Sequence, residues 1–294
     1  MDEKDKEREG HGGAGKGRLY IVGTGPGAAE HLTGRARSVL EGVDTVVGYG
    51  RYVELLGGLV TGKEVVTTAM TGERDRCEQA LRLAGRGRRV ALVSSGDAGI
   101  YAMAGLVLEL LAASGDGGPA VEVVPGVPAF VAAAALLGAP LMHDFASISL
   151  SDLLTPWETI ERRIEAAAAA DFVIALYNPK SRGRVTQLPR SMEIVARHRA
   201  PSTPVGVVKN ASRPGETVTL TTLGGVGRLY DSIDMSTLLI IGNSTTYEAG
   251  GRMITPRGYD VAGAGKDAGH AGRRHGVRAR AAGRPFTVCS WPRR

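Results

Sequence analysis

The residues that most invite chemistry are a run of glycines, Gly23-Thr24-Gly25-Pro26-Gly27-Ala28, directly after the apolar Leu19-Tyr20-Ile21-Val22. Glycine lets a backbone approach a ligand closely. The spacing Gly23-x-Gly25-x-x-Ala28 satisfies a loose dinucleotide fingerprint, so NAD-dependent oxidoreduction is one reading. Two residues oppose it. The fingerprint calls for an acid at the carboxyl end of the second strand, whereas Asp44 precedes Thr45-Val46-Val47, a strand that ends in Gly48-Tyr49. Pro26 also removes an N–H where a pyrophosphate needs donors. A structural strand-to-helix turn is another reading of the loop.

Three further loops follow apolar runs: Ser94-Ser95-Gly96-Asp97-Ala98-Gly99, Pro125-Gly126-Val127-Pro128-Ala129 and Tyr177-Asn178-Pro179. In a parallel sheet such loops gather at the carboxyl ends of strands, where ligands bind. Asp97 is a ligand contact or a turn former. Lys180, Arg182 and Arg184, and then Lys209 and Arg213, suit a carboxylate-rich ligand, although a solvated basic loop accounts for Lys180 to Arg184 more simply. His143-Asp144 is a surface pair or an acid/base pair. The chain shows no Ser/His/Asp triad, and Cys77 and Cys289 lie too far apart in unlike surroundings to indicate a disulfide framework or a metal site.

These loops need strands to carry them. Short apolar runs alternate with helical periodicity, the pattern of βαβ units on a mainly parallel sheet. Strands are expected at 19–22, 45–47, 90–93 and 121–124, and helices at 33–40, 73–84, 100–113 and 129–137. After Gly138-Ala139-Pro140 the character changes. Residues 145–151 alternate Ser147, Ser149 and Ser151 with Ala146, Ile148 and Leu150, a strand with one wet face. Thr155-Pro156-Trp157-Glu158 reads as a capping box opening a helix to Ala170. Strands at 172–177, 205–209, 217–222 and 238–241, with a helix at 185–198, complete a second domain. The expected division is 18–139 and 140–259, between disordered tails at 1–17 and 260–294.

The net charge is +6, and residues 260–294 hold all of it, with eight bases against two acids. A basic face for nucleic acid is therefore not expected on the folded part, and a binding module built on the tail is the non-enzymatic alternative. No apolar run is long enough for a membrane span and the amino terminus has no leader pattern, so a cytoplasmic protein is expected.

The Gly-x-Gly-Pro-Gly, Ser-Gly-Asp and Val-Pro-Gly-Val loops, in that order over Arg18 to Tyr259, resemble the tetrapyrrole methylases, which use S-adenosylmethionine. Four stretches are most similar to the ring-contracting precorrin-3B C17-methyltransferases of cobalamin synthesis. They are Ser149-Leu150-Ser151-Asp152-Leu153-Leu154-Thr155-Pro156-Trp157, Ala175-Leu176-Tyr177-Asn178-Pro179, Val208-Lys209-Asn210-Ala211-Ser212-Arg213-Pro214-Gly215 and Ile241-Gly242-Asn243-Ser244. Another tetrapyrrole C-methyltransferase of the pathway stays open.

The resemblance implies a class III S-adenosylmethionine methyltransferase: two α/β domains, a mixed C-terminal sheet, a homodimer, a corrin-precursor substrate, and S-adenosylhomocysteine as product. It places the donor on Gly23, Gly25, Pro26, Gly27, Gly96, Asp97, Ile100, Tyr101, Ala129, Tyr177, Ala211 and Leu238. It places substrate carboxylates on Lys209 and Arg213. Pro128 departs from the threonine or serine common in the family. Ring contraction, which the resemblance brings with it, needs a positioned acid or base. Asp152, where the strand of alternating serines stops, is the first candidate, and His143, on the boundary segment that precedes the same strand, the second.

Overall fold

The computed structural model describes residues 17–69, 72–115 and 117–260, in two compact units. One comprises the described residues up to Leu136 and takes in Val208–Thr217, while the other comprises Leu137–Val207 and the described residues from Val218 onward. Both expected tails, apart from Gly17 and Asp260, lie outside the described residues.

The first unit runs β1 (Arg18–Gly23), α1 (Gly34–Gly42), β2 (Thr45–Tyr49), α2 (Gly50–Glu54), β3 (Glu64–Thr68), α3 (Glu73–Gly85), β4 (Arg89–Ser94), α4 (Ala104–Ser114), β5 (Ala120–Val124) and α5 (Ala129–Leu137). Its sheet has the order β3-β2-β4-β1-β5, and the pairings of β1 with β4 and β5, and of β2 with β3 and β4, are all parallel. Alternate residues of each inner strand serve opposite faces. Ile21 and Leu92 pack with Cys77, Ala80 and Val107 of α3 and α4. Val22 and Val93 pack with Ala36, Val39 and Leu40 of α1. Burial on both faces is why these strands read as unbroken apolar runs. Thr33 caps α1 as its sequence position suggests, its Oγ1 accepting from Ala36 N at 3.1 Å.

The second unit runs β6 (Gly138–Ala139), β7 (Phe145–Ser149), α6 (Trp157–Ala169), β8 (Val173–Tyr177), α7 (Gln187–Ala196), β9 (Pro204–Lys209), β10 (Thr217–Thr222), β11 (Thr237–Ile241), β12 (Tyr247–Ala249) and β13 (Arg252–Ile254). Its main sheet, ordered β10-β9-β11-β8-β7, is mixed, since β7 pairs parallel to β8 and β11 antiparallel to it. Ile160 and Ile164 of α6 and Leu188 and Ile194 of α7 close over Ile174, Leu176, Leu239 and Ile241. Two α/β units, one sheet parallel and one mixed, are the architecture expected.

Three local expectations fail. The strand β3 was not anticipated, because as an edge strand its Val65 stays exposed and it presents no apolar run. Helix α4 begins at Ala104 rather than at Ile100, since residues 97–103 form turns with Tyr101 in the left-handed region at φ 51°. Helix α6 begins at Trp157 with Pro156 at its cap position and no side-chain cap. Thr155 thus lies one residue too early to form the capping box with Glu158.

Candidate active site

In the first unit, β1 lies between β4 and β5, so the three loops at their carboxyl ends are neighbours. Gly25 and Gly96 exchange backbone hydrogen bonds, Gly25 N to Gly96 O at 3.0 Å and Gly96 N to Gly25 O at 2.7 Å, both at positive φ (76° and 71°). Thr24 donates to Ser94 O from N and Oγ1. Asp97 reaches the third loop: Oδ2 accepts from Gly126 N at 3.0 Å and Oδ1 from Gly99 N at 2.8 Å. A Cβ on Gly126 would lie 2.1 Å from Gly96 O, and one on Gly23 would lie 2.7 Å from both Gly96 O and Gly126 N. Gly23, read as ligand clearance, thus has a nearer reason, which Gly126 shares: the loops lie against one another. Gly25 has another, since its Cβ would sit 2.8 Å from His31 O.

The structure brings Gly23, Gly25, Pro26, Gly27, Gly96, Asp97 and Ala129 to this cluster, with Ile100 and Tyr101 in the turns that leave it. The Ala129 amide lies 3.7 Å from a Cβ built on Gly96. Pro128 serves as the cap of α5, its carbonyl accepting from Val131 N and Ala132 N at 3.1 and 3.3 Å, a place where a fixed φ is no handicap. Buried Arg76, overlooked in the sequence, ties the turns down. Nε donates to Thr68 Oγ1 at 2.8 Å, Nη2 to Ala69 O at 2.7 Å, and Nη1 to Met103 Sδ at 3.5 Å.

The segment Val208–Thr217 joins the same cluster. Ala211 precedes Ser212, whose carbonyl would lie 2.8 Å from a Cβ on Gly27. Arg213 turns inward, donating from Nε to Pro26 O and from Nη2 to Ser95 Oγ, with its guanidinium carbon 5.9 Å from the Tyr52 ring centroid. Burial lowers its pKa, against the pull of Tyr52. These two bonds of the guanidinium go to loops of the protein. Lys209, last in β9, is half-buried.

Asp44 has a local task instead of a ribose. Arg89 Nη2 donates to Oδ1 at 2.6 Å and Arg89 N to Oδ2 at 3.1 Å, which holds the Asp44 carboxyl below its usual pKa, the Arg89 side-chain bond contributing most. The pair stands at the amino ends of β2 and β4, away from the glycine loops.

In the second unit, the strand ladders put Ser149 opposite Tyr177 and Leu176 opposite Leu239, and the same register sets Leu238 beside Tyr177. Beyond Ser149, Asp152 accepts from Gln187 Nε2 at 2.8 Å and lies 3.9 Å from Arg184 Nη1. Arg184 is not a solvated member of a basic loop. It is buried, donates from Nη2 to Asn178 O at 2.9 Å, and its Nε finds no partner among the described residues. Burial lowers its pKa and Asp152 opposes the shift. Lys180 donates to Tyr230 O at 2.7 Å, while Arg182 is exposed.

His143 is not with Asp152. It precedes β7 whereas Asp152 follows it, and five extended residues between them span about 16 Å. His143 and Asp144 are exposed and in mutual contact, lining a pocket of about 330 Å³ with Asp171, Asn243 and Arg257. Only one of the two proposed acid/base residues thus stands at the carboxyl end of the strand. Among the described residues no helix is long and apolar enough to cross a membrane, and no three His, Cys, Asp or Glu side chains are grouped to hold a metal ion.

Residues 18–227 match the family described as tetrapyrrole (corrin/porphyrin) methylases. The chain is 52% identical over 243 residues to a probable cobalt-factor III C(17)-methyltransferase of Salmonella typhimurium, covering 83% of this chain and 100% of that one. It is 50% identical over 247 residues to a cobalt-factor III methyltransferase of Priestia megaterium, covering 83% of this chain but only 45% of the longer relative. Among solved structures, the methyltransferase CobJ superposes with a TM-score of 0.77 at 36% identity, over 82% of this chain and 100% of that one. A uroporphyrin-III C-methyltransferase of Thermus thermophilus complexed with S-adenosylhomocysteine gives 0.59 at 25% identity, over 77% and 97%.

Proposed function

Because the chain belongs to the tetrapyrrole methylases, we propose that it transfers the methyl group of S-adenosylmethionine to C17 of precorrin-3B or its cobalt analogue, with ring contraction, in cobalamin synthesis. The observation that carries this reading is the identity to the Salmonella C(17)-methyltransferase, which runs the whole length of that protein. The homodimer and the cytoplasmic location expected from the sequence belong to the same proposal.

The loops suit a sulfonium ligand better than a pyrophosphate. They are built of small residues around carbonyl oxygens and the Asp97 carboxylate, and their cation, Arg213, is turned onto Pro26 and Ser95. Ser94 Oγ, buried at the end of β4, has no protein partner among the described residues. The first-unit residues that would hold the donor are Gly23, Gly25, Pro26, Gly27, Gly96, Asp97, Ile100, Tyr101, Ala129 and Ala211. When bound, S-adenosylmethionine supplies an electrophilic methyl group open to in-line displacement.

An electron-rich carbon of a reduced tetrapyrrole needs no triad to attack a methyl group. The protein contributes by orienting the acceptor and excluding water. Lys209 is assigned to a substrate carboxylate. Asp152 is assigned the proton transfers to and from oxygen that ring contraction requires. Gln187 and Arg184 hold its carboxylate in one place at the end of β7.

The test is to incubate the purified protein with carbon-13 methyl-labelled donor and a trimethylated precursor, and to analyse the product by mass spectrometry and NMR. One added methyl on C17 of a contracted ring is expected. Label on a different carbon would make the chain another tetrapyrrole C-methyltransferase. Reduction of the substrate by a nicotinamide without methylation would restore the oxidoreductase reading.

A further inference from the structure

Arg213 follows a strand that carries a family-like motif, and its charge first suggests a reader of substrate carboxylates. Its surroundings say otherwise. The guanidinium lies on Pro26 O, on Ser95 Oγ and over the ring of Tyr52, all groups of the first unit.

The segment around it is built to deliver the side chain there. Asn210 and Ser212 both adopt left-handed φ, 53° and 59°, a conformation that costs a non-glycine residue energy and persists only when its surroundings demand it. Three short bonds close the turn: Arg213 N to Asn210 O at 2.8 Å, Ser212 N to Glu216 Oε2 at 2.6 Å, and Glu216 N to Arg213 O at 3.1 Å. On the receiving side, a Cβ on Gly27 would lie 2.4 Å from Arg213 Cγ and 3.1 Å from its Nε. The third glycine of the motif is therefore the doorway for an arginine.

We propose that Arg213 is a positioning residue of the donor site, a guanidinium that fixes the Gly23–Gly27 loop against the Ser94–Gly99 loop before any ligand arrives. This rests on the reading that these loops hold S-adenosylmethionine. The physical reason is preorganisation. A planar guanidinium presents several donors in fixed directions, so it can bind a carbonyl and a hydroxyl at once, as an ammonium on a flexible stem cannot. Loops ordered in advance lose less entropy when they bind. Pro26, with no N–H of its own, offers its carbonyl to this clamp.

The test measures S-adenosylhomocysteine affinity by calorimetry for the wild type, Arg213→Ala, Arg213→Lys and Ser95→Ala, with melting curves on each. Loss of two charge-assisted hydrogen bonds predicts a rise in Kd on the order of tenfold to a hundredfold for Arg213→Ala. Arg213→Lys should recover only part of the loss, and Ser95→Ala should lose several-fold. Added methylguanidine should restore donor affinity to Arg213→Ala, whereas methylamine should not, a readout that general destabilisation would not produce. Wild-type affinity in Arg213→Ala overturns the proposal, as does a selective rise in KM for the macrocycle. If Arg213→Ala fails to fold, wild-type affinity in both Arg213→Lys and Ser95→Ala overturns it equally. Failure of the wild type itself to bind S-adenosylhomocysteine would instead overturn the donor-site reading beneath it.

Discussion

Asp97 Oδ2 accepts the Gly126 amide proton at 3.0 Å, so the loop after β4 holds the loop after β5 through a single carboxylate. Its other oxygen accepts from Gly99 N at 2.8 Å. Asp97→Ala should strand both amides and cost about 1–3 kcal/mol, seen as a lower urea midpoint with an unchanged m-value. Donor affinity should fall with it. A variant of wild-type stability that still loses the donor would make Asp97 a ligand contact alone.

Gly126→Ala places a carbon 2.1 Å from a backbone oxygen, and neither group can move without parting β1 from its neighbours' loops. We expect a clear drop in melting temperature together with loss of S-adenosylhomocysteine binding. Gly34→Ala is the control. Nothing lies within 4 Å of its Cβ, and it opens α1, so stability should hold or rise by about 0.4–1 kcal/mol. Gly25→Val belongs with Gly126→Ala, because φ of 76° and the His31 carbonyl oppose any side chain there.

Asp152→Asn keeps the shape of the side chain and its bond from Gln187, but removes the charge facing Arg184. If Asp152 handles the protons of ring contraction, this variant should bind donor and substrate normally and accumulate an uncontracted macrocycle. Product analysis by mass spectrometry decides the matter. Contracted product at the wild-type rate from a stable variant would remove Asp152 from the chemistry. His143→Asn, at the other end of β7, should leave contraction untouched.

Burial on the inner face of α3, against the sheet, pushes the Cys77 thiol up to about 11 from an ordinary 9.0. In a Cys289→Ser background, native protein at pH 8 should alkylate no faster than it opens, while urea-unfolded chain should react at once. The sign for stability is also fixed. The folded state keeps the proton that the unfolded chain gives up, so stability falls as pH climbs from about 9 towards 11. Cys77→Ala should flatten that limb in denaturation curves taken across the window.

The sequence made the parallel sheet legible because β1, β2 and β4 are buried on both faces and therefore spelled as apolar runs. It also ordered the loops correctly, since glycine marks where a backbone crowds another. What it could not disclose was which neighbour does the crowding. Gly126 meets Gly96, and Gly27 meets Arg213, across long separations that local spacing does not encode. Arg184 and Arg213 share one difficulty: a cation after a strand reads as facing water or an anionic ligand, whereas both guanidinium groups are turned inward onto carbonyls. Edge strand β3 escaped because exposure erases the apolar signature on which strand detection depends.

Arg213 and Pro26 are 187 residues apart in sequence, which sets an order on biosynthesis. Most of the first unit has left the ribosome once Leu136 has emerged, yet its clamp follows 77 residues later, roughly 4 to 15 s at usual elongation rates of about 5–20 residues/s. During that interval the parallel sheet can form while its ligand loops lack their fastening. A nascent chain stalled before residue 208 should therefore carry a protease-sensitive Gly23–Gly27 loop on an otherwise protected core, and release past Thr217 should abolish the cleavage.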